Sequence, residues 1–265
     1  MSRPKIVFFD IDDTLYHKDA GVVPKSAQQA LAALHAQGIL TAIATGRTPG
    51  VFPEPVNALI RSFGMDVLVT MNGQYCLHRG EVLDAHPLPL ADIERLIALC
   101  AEKDWAYMQM LDDAMVVSRE DDVVAGALHD IGPYRVDARA YLHAPVYQMN
   151  VYVDEAGERE LHASGVLGDT YQTIRWHPHS VDFLPSAASK ARGIAACCAR
   201  LGIAREEVMA FGDGLNDVEM LEYAGLSVAM GNGRAQARAV ADYVTTNVGD
   251  DGVYRALVTL GVLAG

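Results

Sequence analysis

Short apolar runs that stop abruptly at a polar or acidic residue punctuate this chain, and that pattern limits the fold more than any other feature. Residues 6–9 run into Asp10, and 39–44 run into Thr45; residues 67–70, 208–211 and 226–230 form runs of the same kind. Runs this short and this apolar are typical of strands buried on both faces of a parallel sheet. Between them the apolar spacing turns helical. Ala27, Ala30, Leu31, Ala33 and Leu34 recur over 26–36, and Gly38 stands where a helix would stop. Similar patterns cover 189–201 and 217–224. Alternation of strand and helix predicts the α/β class, with a Rossmann-like, doubly wound parallel sheet as its core.

Two proline-bearing joints, HPLPL at 86–90 and Leu184-Pro185-Ser186, bracket a stretch of different character. It reads as a helix over 91–103, strands over 106–111, 114–118, 146–153 and 171–176, and polar helices near 120–129 and 156–165. The expected organisation is a core made of 1–86 and 185–265, interrupted by a smaller α+β domain over 87–184. An insertion of about a hundred residues is an ordinary domain size.

The composition narrows the partners. Of 265 residues, 51% are hydrophobic and 21% charged, which excludes a disordered or collagen-like chain. A formal net charge of −13 repels phosphate backbones and anionic bilayers, so neither nucleic acid nor a membrane surface is expected as a partner. No uncharged apolar stretch approaches the roughly 18 residues of a transmembrane helix. The segment Met1-Ser2-Arg3-Pro4-Lys5 leads into too short an apolar run to serve as a secretion signal. The four cysteines, at 76, 100, 197 and 198, lack CxxC spacing and read as buried free thiols. The nine histidines show no metal-ligand spacing. A cytoplasmic location is expected.

Open parallel sheets bind ligands beyond the carboxyl ends of their strands. Four polar clusters stand in such places: Asp10-Ile11-Asp12-Asp13-Thr14, Thr45-Gly46-Arg47, Ser189-Lys190, and Gly212-Asp213-Gly214-Leu215-Asn216-Asp217. Taken singly each is weak, since a DxD after a strand is usually a solvated turn and most lysines are surface residues. An acid at position 217 has an ordinary explanation in the helix dipole. Together they are informative. Acids crowded at a strand mouth repel one another and are costly to desolvate, and a hard cation offsets both effects. With Asp213 arriving from another strand, the site is all-oxygen and suits Mg²⁺. Such an ion would let a carboxylate approach a phosphate dianion and attack phosphorus, with a second carboxyl as acid and then base. Thr45, Gly46 and Lys190 are the donors available to the transferred group.

These segments resemble motifs I to IV of the haloacid dehalogenase superfamily: DIDDTL, ATGR, the lysine of ASK, and FGDGLNDVEML. The likeness extends to Met71-Asn72-Gly73, VAMGNG at 228–233 and ADYVT at 241–245, and is similar to the Cof-type branch, which carries a class IIB α+β cap between motifs II and III. By that resemblance Asp10 is the nucleophile and a Mg²⁺ ligand, Asp12 the acid/base and a backbone-carbonyl ligand, and Asp213 the other protein ligand. Thr45, Gly46, Lys190 and Asn216 hold the phosphate, Asp217 orients Lys190 or a metal-bound water, and Arg47 reaches the substrate. Many members have glycine where this chain has Asp13; Asp tolerates left-handed backbone, so the turn should survive.

The activity implied is a Mg²⁺-dependent phosphatase of a small phosphorylated metabolite, such as a sugar phosphate, working through an aspartyl-phosphate. Dehalogenase members lack the second acid, so Asp12 points to phosphoryl chemistry. A phosphomutase would use the same acids and return the phosphate to its substrate. A non-catalytic phosphometabolite-binding protein would be expected to have lost an acid. A receiver module, with similar Asp, Mg²⁺ and Lys, is about half this length and has no insertion. Neither the specific ester nor the oligomeric state is legible in the sequence.

Overall fold

The computed structural model describes residues 3–264; the first two residues of the amino-terminal segment read above lie outside it. In chain order, β1 (Ile6–Phe9), α1 (Lys25–Ala36), β2 (Leu40–Ala44), α2 (Glu54–Phe63) and β3 (Val67–Thr70) alternate, followed by the strands β4 (Tyr75–His78) and β5 (Glu81–Ala85). Next come α3 (Leu90–Lys103), β6 (Tyr107–Met110), β7 (Met115–Val117), α4 (Asp122–Leu128), β8 (Tyr134–Val136), β9 (Gln148–Val151), α5 (Glu155–Ala163), β10 (Tyr171–His177) and β11 (Ser180–Pro185). The chain closes with α6 (Lys190–Leu201), β12 (Val208–Gly212), α7 (Val218–Tyr223), β13 (Leu226–Ala229), α8 (Ala235–Val240), β14 (Tyr243–Val244) and α9 (Gly252–Thr259).

Two compact units result. The first comprises the segments up to Gly46, Pro53–Ala85, and the chain from Ser189 onward; the second comprises Arg47–Phe52 and His86–Ala188. In the first unit the sheet order is β14-β13-β12-β1-β2-β3-β4-β5. Its first six strands are parallel, as the apolar runs predict for all of them but β14, and β4 and β5 are antiparallel additions at one edge. Arg79 and Gly80 join those two strands, both with positive φ (52° and 79°), the twist that a two-residue hairpin needs. From β1 the chain moves outward through β2 and β3; β12, on the other side of β1, starts the opposite progression. The strand order therefore reverses between β1 and β12, which is where open α/β sheets place ligands.

Register brings the functional strand ends level. Phe9 pairs with Phe211 on one side and with Ile43 on the other, so Asp10, Gly212 and Ala44 follow in one row. The Asp10 N–H donates to the Phe211 carbonyl (3.0 Å), and the rings of Phe9 and Phe211 stack with centroids 5.1 Å apart. All four β1 residues are fully buried, which anchors the strand whose end must hold an acid. Helix α6 lies unusually close to β3. A Cβ on Gly193 would sit 2.5 Å from Val69 Cγ1 and 2.9 Å from Gly73 Cα, and one on Gly73 would overlap the Ser189 carbonyl. Glycine at both positions lets the first turn of α6, capped by the Ser189 hydroxyl, descend onto the sheet with Lys190 in it.

The second unit is an α+β sandwich. Its sheet runs β10-β11-β9-β6-β7-β8, antiparallel except for β7 with β8. Helices α3 and α5 contribute Ile93, Leu96, Cys100 and Leu161 to a core shared with Met149, Val151, Val181 and Phe183. The sequence reading assigns Arg47–Phe52 to the core, but this segment clusters with the second unit: the Thr48 hydroxyl donates to the carbonyls of Leu111 (2.7 Å) and Asp112 (3.0 Å). No α-helix begins directly after Gly46. Pro49 and Pro53 allow only a single 3₁₀ turn (Pro49–Val51), and Phe52 is extended before proline, so α2 waits until Glu54. Among the described residues, no helix is long and apolar enough to cross a membrane.

Candidate active site

Lys190 is the centre of the site. Its side chain is fully buried, and Nζ lies 2.6 Å from Asp10 Oδ1 and 2.6 Å from Asp217 Oδ1. A lysine at the first position of an amphipathic helix would ordinarily face water; here the glycine contacts below α6 draw it inward. Burial alone would lower the Lys190 pKa, but the two carboxylates outweigh it and hold the ammonium charged, above its ordinary value.

Asp217 is fully buried and shares its oxygens between two tasks. While Oδ1 faces Lys190, Oδ2 accepts the backbone N–H groups of Asp213 (2.8 Å) and Gly214 (2.7 Å). The fold makes room for this at Gly212, where a Cβ would lie 2.6 Å from both Cβ and Cγ of Asp217. The residue thus pairs with Lys190 and also braces the loop that carries Asp213. Thr14, buried and overlooked in the sequence, donates its hydroxyl to Asp213 Oδ1 (2.8 Å). The sequence places it in the first polar cluster but gives it no role there.

One carboxylate oxygen from each of Asp10, Asp213 and Asp217 falls within 4.8 Å of the others. The Asp12 carboxylate is not in that group; it is half-buried and adds negative charge around Asp10. Desolvation raises the Asp10 pKa well above the carboxylate range, and Asp217, Asp213 and Asp12 push it further against the opposing pull of Lys190. Asp213 is pushed up to about 7, by burial first and by Asp217 second. Fully ionised, the acids would carry more negative charge than one lysine neutralises. A hard divalent cation fits an all-oxygen donor set of this kind and would bring the carboxyls back to their ionised form.

The second wall is polar and neutral. Thr45 is buried at the end of β2, with its N–H donating to the Val69 carbonyl (2.8 Å). A Cβ placed on Gly46 would lie 3.4 Å from Asn72 Oδ1 and 3.5 Å from Asn216 Nδ2, so Gly46 leaves its open side toward two amides. Asn216 in turn donates to Asn72 Oδ1 (3.0 Å). Asn72 belongs to the resemblance described above but not to the predicted site. Asp13 has φ of 55°, the left-handed backbone expected for this turn, and its carbonyl accepts from Asn232 (2.8 Å). Arg47 goes elsewhere: its guanidinium donates to the carbonyls of Val51 and Ile131 within the second unit. The structure thus brings together Asp10, Lys190, Asp213 and Asp217, sets Gly46 and Asn216 beside Asn72, and places Arg47 with the other unit.

Comparison with known proteins agrees with this arrangement. Residues 7–257 match the family described as haloacid dehalogenase-like hydrolase. YkrA of Bacillus subtilis, described as a candidate phosphatase, is 33% identical over 264 residues, covering 98% of each chain. Among solved structures, the subclass IIB sugar phosphatase BT4131 superposes with a TM-score of 0.88 at 31% identity, over 98% of this chain and all of that one. BT1666 from Bacteroides thetaiotaomicron, a phosphatase of the same superfamily, gives 0.86 at 31% identity, over 98% and 96%.

Proposed function

The chain belongs to the haloacid dehalogenase-like hydrolases, and from that premise we propose that it is a Mg²⁺-dependent phosphatase of small phosphomonoesters, of the sugar-phosphate class. The observation that carries this reading is the buried Asp10–Lys190–Asp217 chain with Asp213 within 4.8 Å of both acids. Lys190 pulls Asp10 toward its ionised, nucleophilic form, against the burial that opposes it, and offers positive charge to an arriving phosphate. Asp10, Asp213 and the Asp12 backbone carbonyl would hold Mg²⁺, which when bound supplies charge neutralisation between carboxylate and phosphate dianion.

In the first half-reaction an Asp10 carboxylate oxygen bonds to phosphorus, the ester P–O bond breaks, and Asp12 gives its proton to the departing alkoxide. In the second, Asp12 takes a proton from water, whose oxygen attacks phosphorus and displaces the Asp10 carboxylate as inorganic phosphate forms. The Thr45 hydroxyl, the Gly46 N–H, Lys190 and Asn216 hold the transferred group, so that most of the catalysis is positioning and charge stabilisation. Kinship with a sugar phosphatase supports the substrate class. We assign it to the cytoplasm.

The test is phosphate release from a panel of phosphorylated sugars and related metabolites, with Mg²⁺ and with chelator. Release is expected with Mg²⁺ alone, and Asp10→Asn should abolish it while the circular dichroism spectrum stays native. Appreciable turnover by that variant would overturn the nucleophile assignment, and isomerised substrate without free phosphate would reveal a mutase.

A further inference from the structure

Met71, Asn72 and Gly73, directly after β3, all have positive φ (47°, 53° and 81°). Three left-handed residues in succession are unfavourable, most of all at a methionine, and strain of this kind persists only where the surrounding structure fixes it. What fixes it here is a set of contacts with three separate parts of the site. The Asn72 N–H donates to the Thr45 carbonyl (3.1 Å). Gly73 packs on the Ser189 carbonyl at the cap of α6, next to Lys190. The Asn72 side chain, 1% exposed, accepts from Asn216. The turn therefore ties together the segments that carry Thr45, Lys190 and Asn216.

We propose that Asn72 is a positioning residue of the phosphoryl site, acting through Asn216. The inference rests on the phosphatase reading given above. An amide side chain has nearly the same shape in its two flipped orientations, so its hydrogen bonds decide which end faces a ligand. The 3.0 Å bond from Asn216 Nδ2 to Asn72 Oδ1 fixes the donor end of Asn216 on the side of Gly46. From that side its remaining N–H can serve a phosphate oxygen. Without Asn72 nothing holds the donor end of Asn216 toward the ligand, and its hydrogen bond to the anion is lost. Asn72 thereby selects for a phosphoryl group without having to touch it.

The left-handed backbone supplies a clean test, because glycine adopts φ near 53° without strain and removes only the side chain. Wild type, Asn72→Gly, Asn72→Ala, Asn216→Ala and the Asn72→Gly/Asn216→Ala double variant are compared with p-nitrophenyl phosphate as substrate and inorganic phosphate as competitive inhibitor. Asn72→Gly should keep its melting temperature and lose about tenfold in kcat/KM, the worth of one hydrogen bond to a charged group. The loss should appear in KM, and the phosphate inhibition constant should rise by the same factor. In the double variant, Asn72→Gly should cost nothing beyond Asn216→Ala. If Asn72→Gly matches wild type while Asn72→Ala is impaired, the residue serves only the turn and the proposal fails; it fails equally if the two losses multiply. Absence of turnover in wild type would instead count against the phosphatase reading, and phosphate binding to the same variants, measured calorimetrically, would still decide the role of Asn72.

Discussion

Asp213→Asn should make the metal-free protein more stable while removing its activity. The Asp213 carboxyl is raised from an ordinary 3.8 to about 7, with desolvation as the larger cause and Asp217 as the next. At about 1.36 kcal/mol per pH unit, keeping it ionised above pH 7 costs the native state at most ~4 kcal/mol. An amide at this position still accepts the Thr14 hydroxyl but retains its own desolvation cost, so about half of that, ~2 kcal/mol, should be recovered. For a chain of this size that is roughly 4–8 °C in melting temperature. The sign with pH follows from linkage. Because the native state holds this proton more tightly than the unfolded chain, wild type loses stability as pH rises from about 4 to about 7 and then levels off. The advantage of Asp213→Asn should therefore be full at pH 8, shrink as pH falls through 7, and vanish below about 4. Added Mg²⁺ should reverse the order at pH 8 by stabilising wild type alone. Calorimetric melts in chelator and in Mg²⁺, at several pH values, measure all of this. A variant that melts at or below wild type in chelator at pH 8 would refute the view that these acids are held together against their own repulsion.

Two other consequences concern packing. Gly212→Ala places a methyl 2.6 Å from Asp217 Cβ and Cγ, so Asp217 must move away from Lys190 and from the Asp213 and Gly214 amides; about 2–3 kcal/mol of stability and at least about tenfold in phosphate release should be lost, by denaturant melts and steady-state assay. All four cysteines are buried, with Cys100 and Cys198 pushed up to about 12 by desolvation, so native protein should resist a disulfide-exchange reagent that titrates four thiols after unfolding in guanidinium.

What the sequence could reveal depended on where each signal lies. Asp10 and Asp213 stand immediately beyond apolar runs, and a period-based reading finds such positions because sheet register makes strand ends converge. The parallel strands β1, β2, β3, β12 and β13 and helices α1, α3 and α6 were legible for the same reason: each buries a stripe or a face that composition marks. The β4–β5 hairpin was not. Its turn is Arg79-Gly80 rather than a pair such as Asn-Gly, and the strands that flank it do not alternate cleanly. Arg47–Phe52 follows a core motif in sequence, yet its threonine hydroxyl and guanidinium find carbonyls in the second unit. Neither partner lies near enough along the chain to be inferred.

Asn72 and Thr14 escaped for a different reason. Each acts on another side chain rather than on a ligand: Thr14 through the oxygen of Asp213, Asn72 through the amide of Asn216. Motif reading identifies residue types suited to chemistry, and a threonine or asparagine in a turn has an ordinary backbone explanation. The glycines supply the link between pattern and site. Gly73 and Gly193 let α6 descend, Gly212 admits Asp217, and together they put a charged lysine where water does not reach it. A buried ammonium with two carboxylates is poor material for stability, because desolvation offsets most of the attraction. Its presence at the reversal of the strand order, beside acids that burial drives toward protonation, makes sense when the protein is shaped for a dianion and a cation that arrive together.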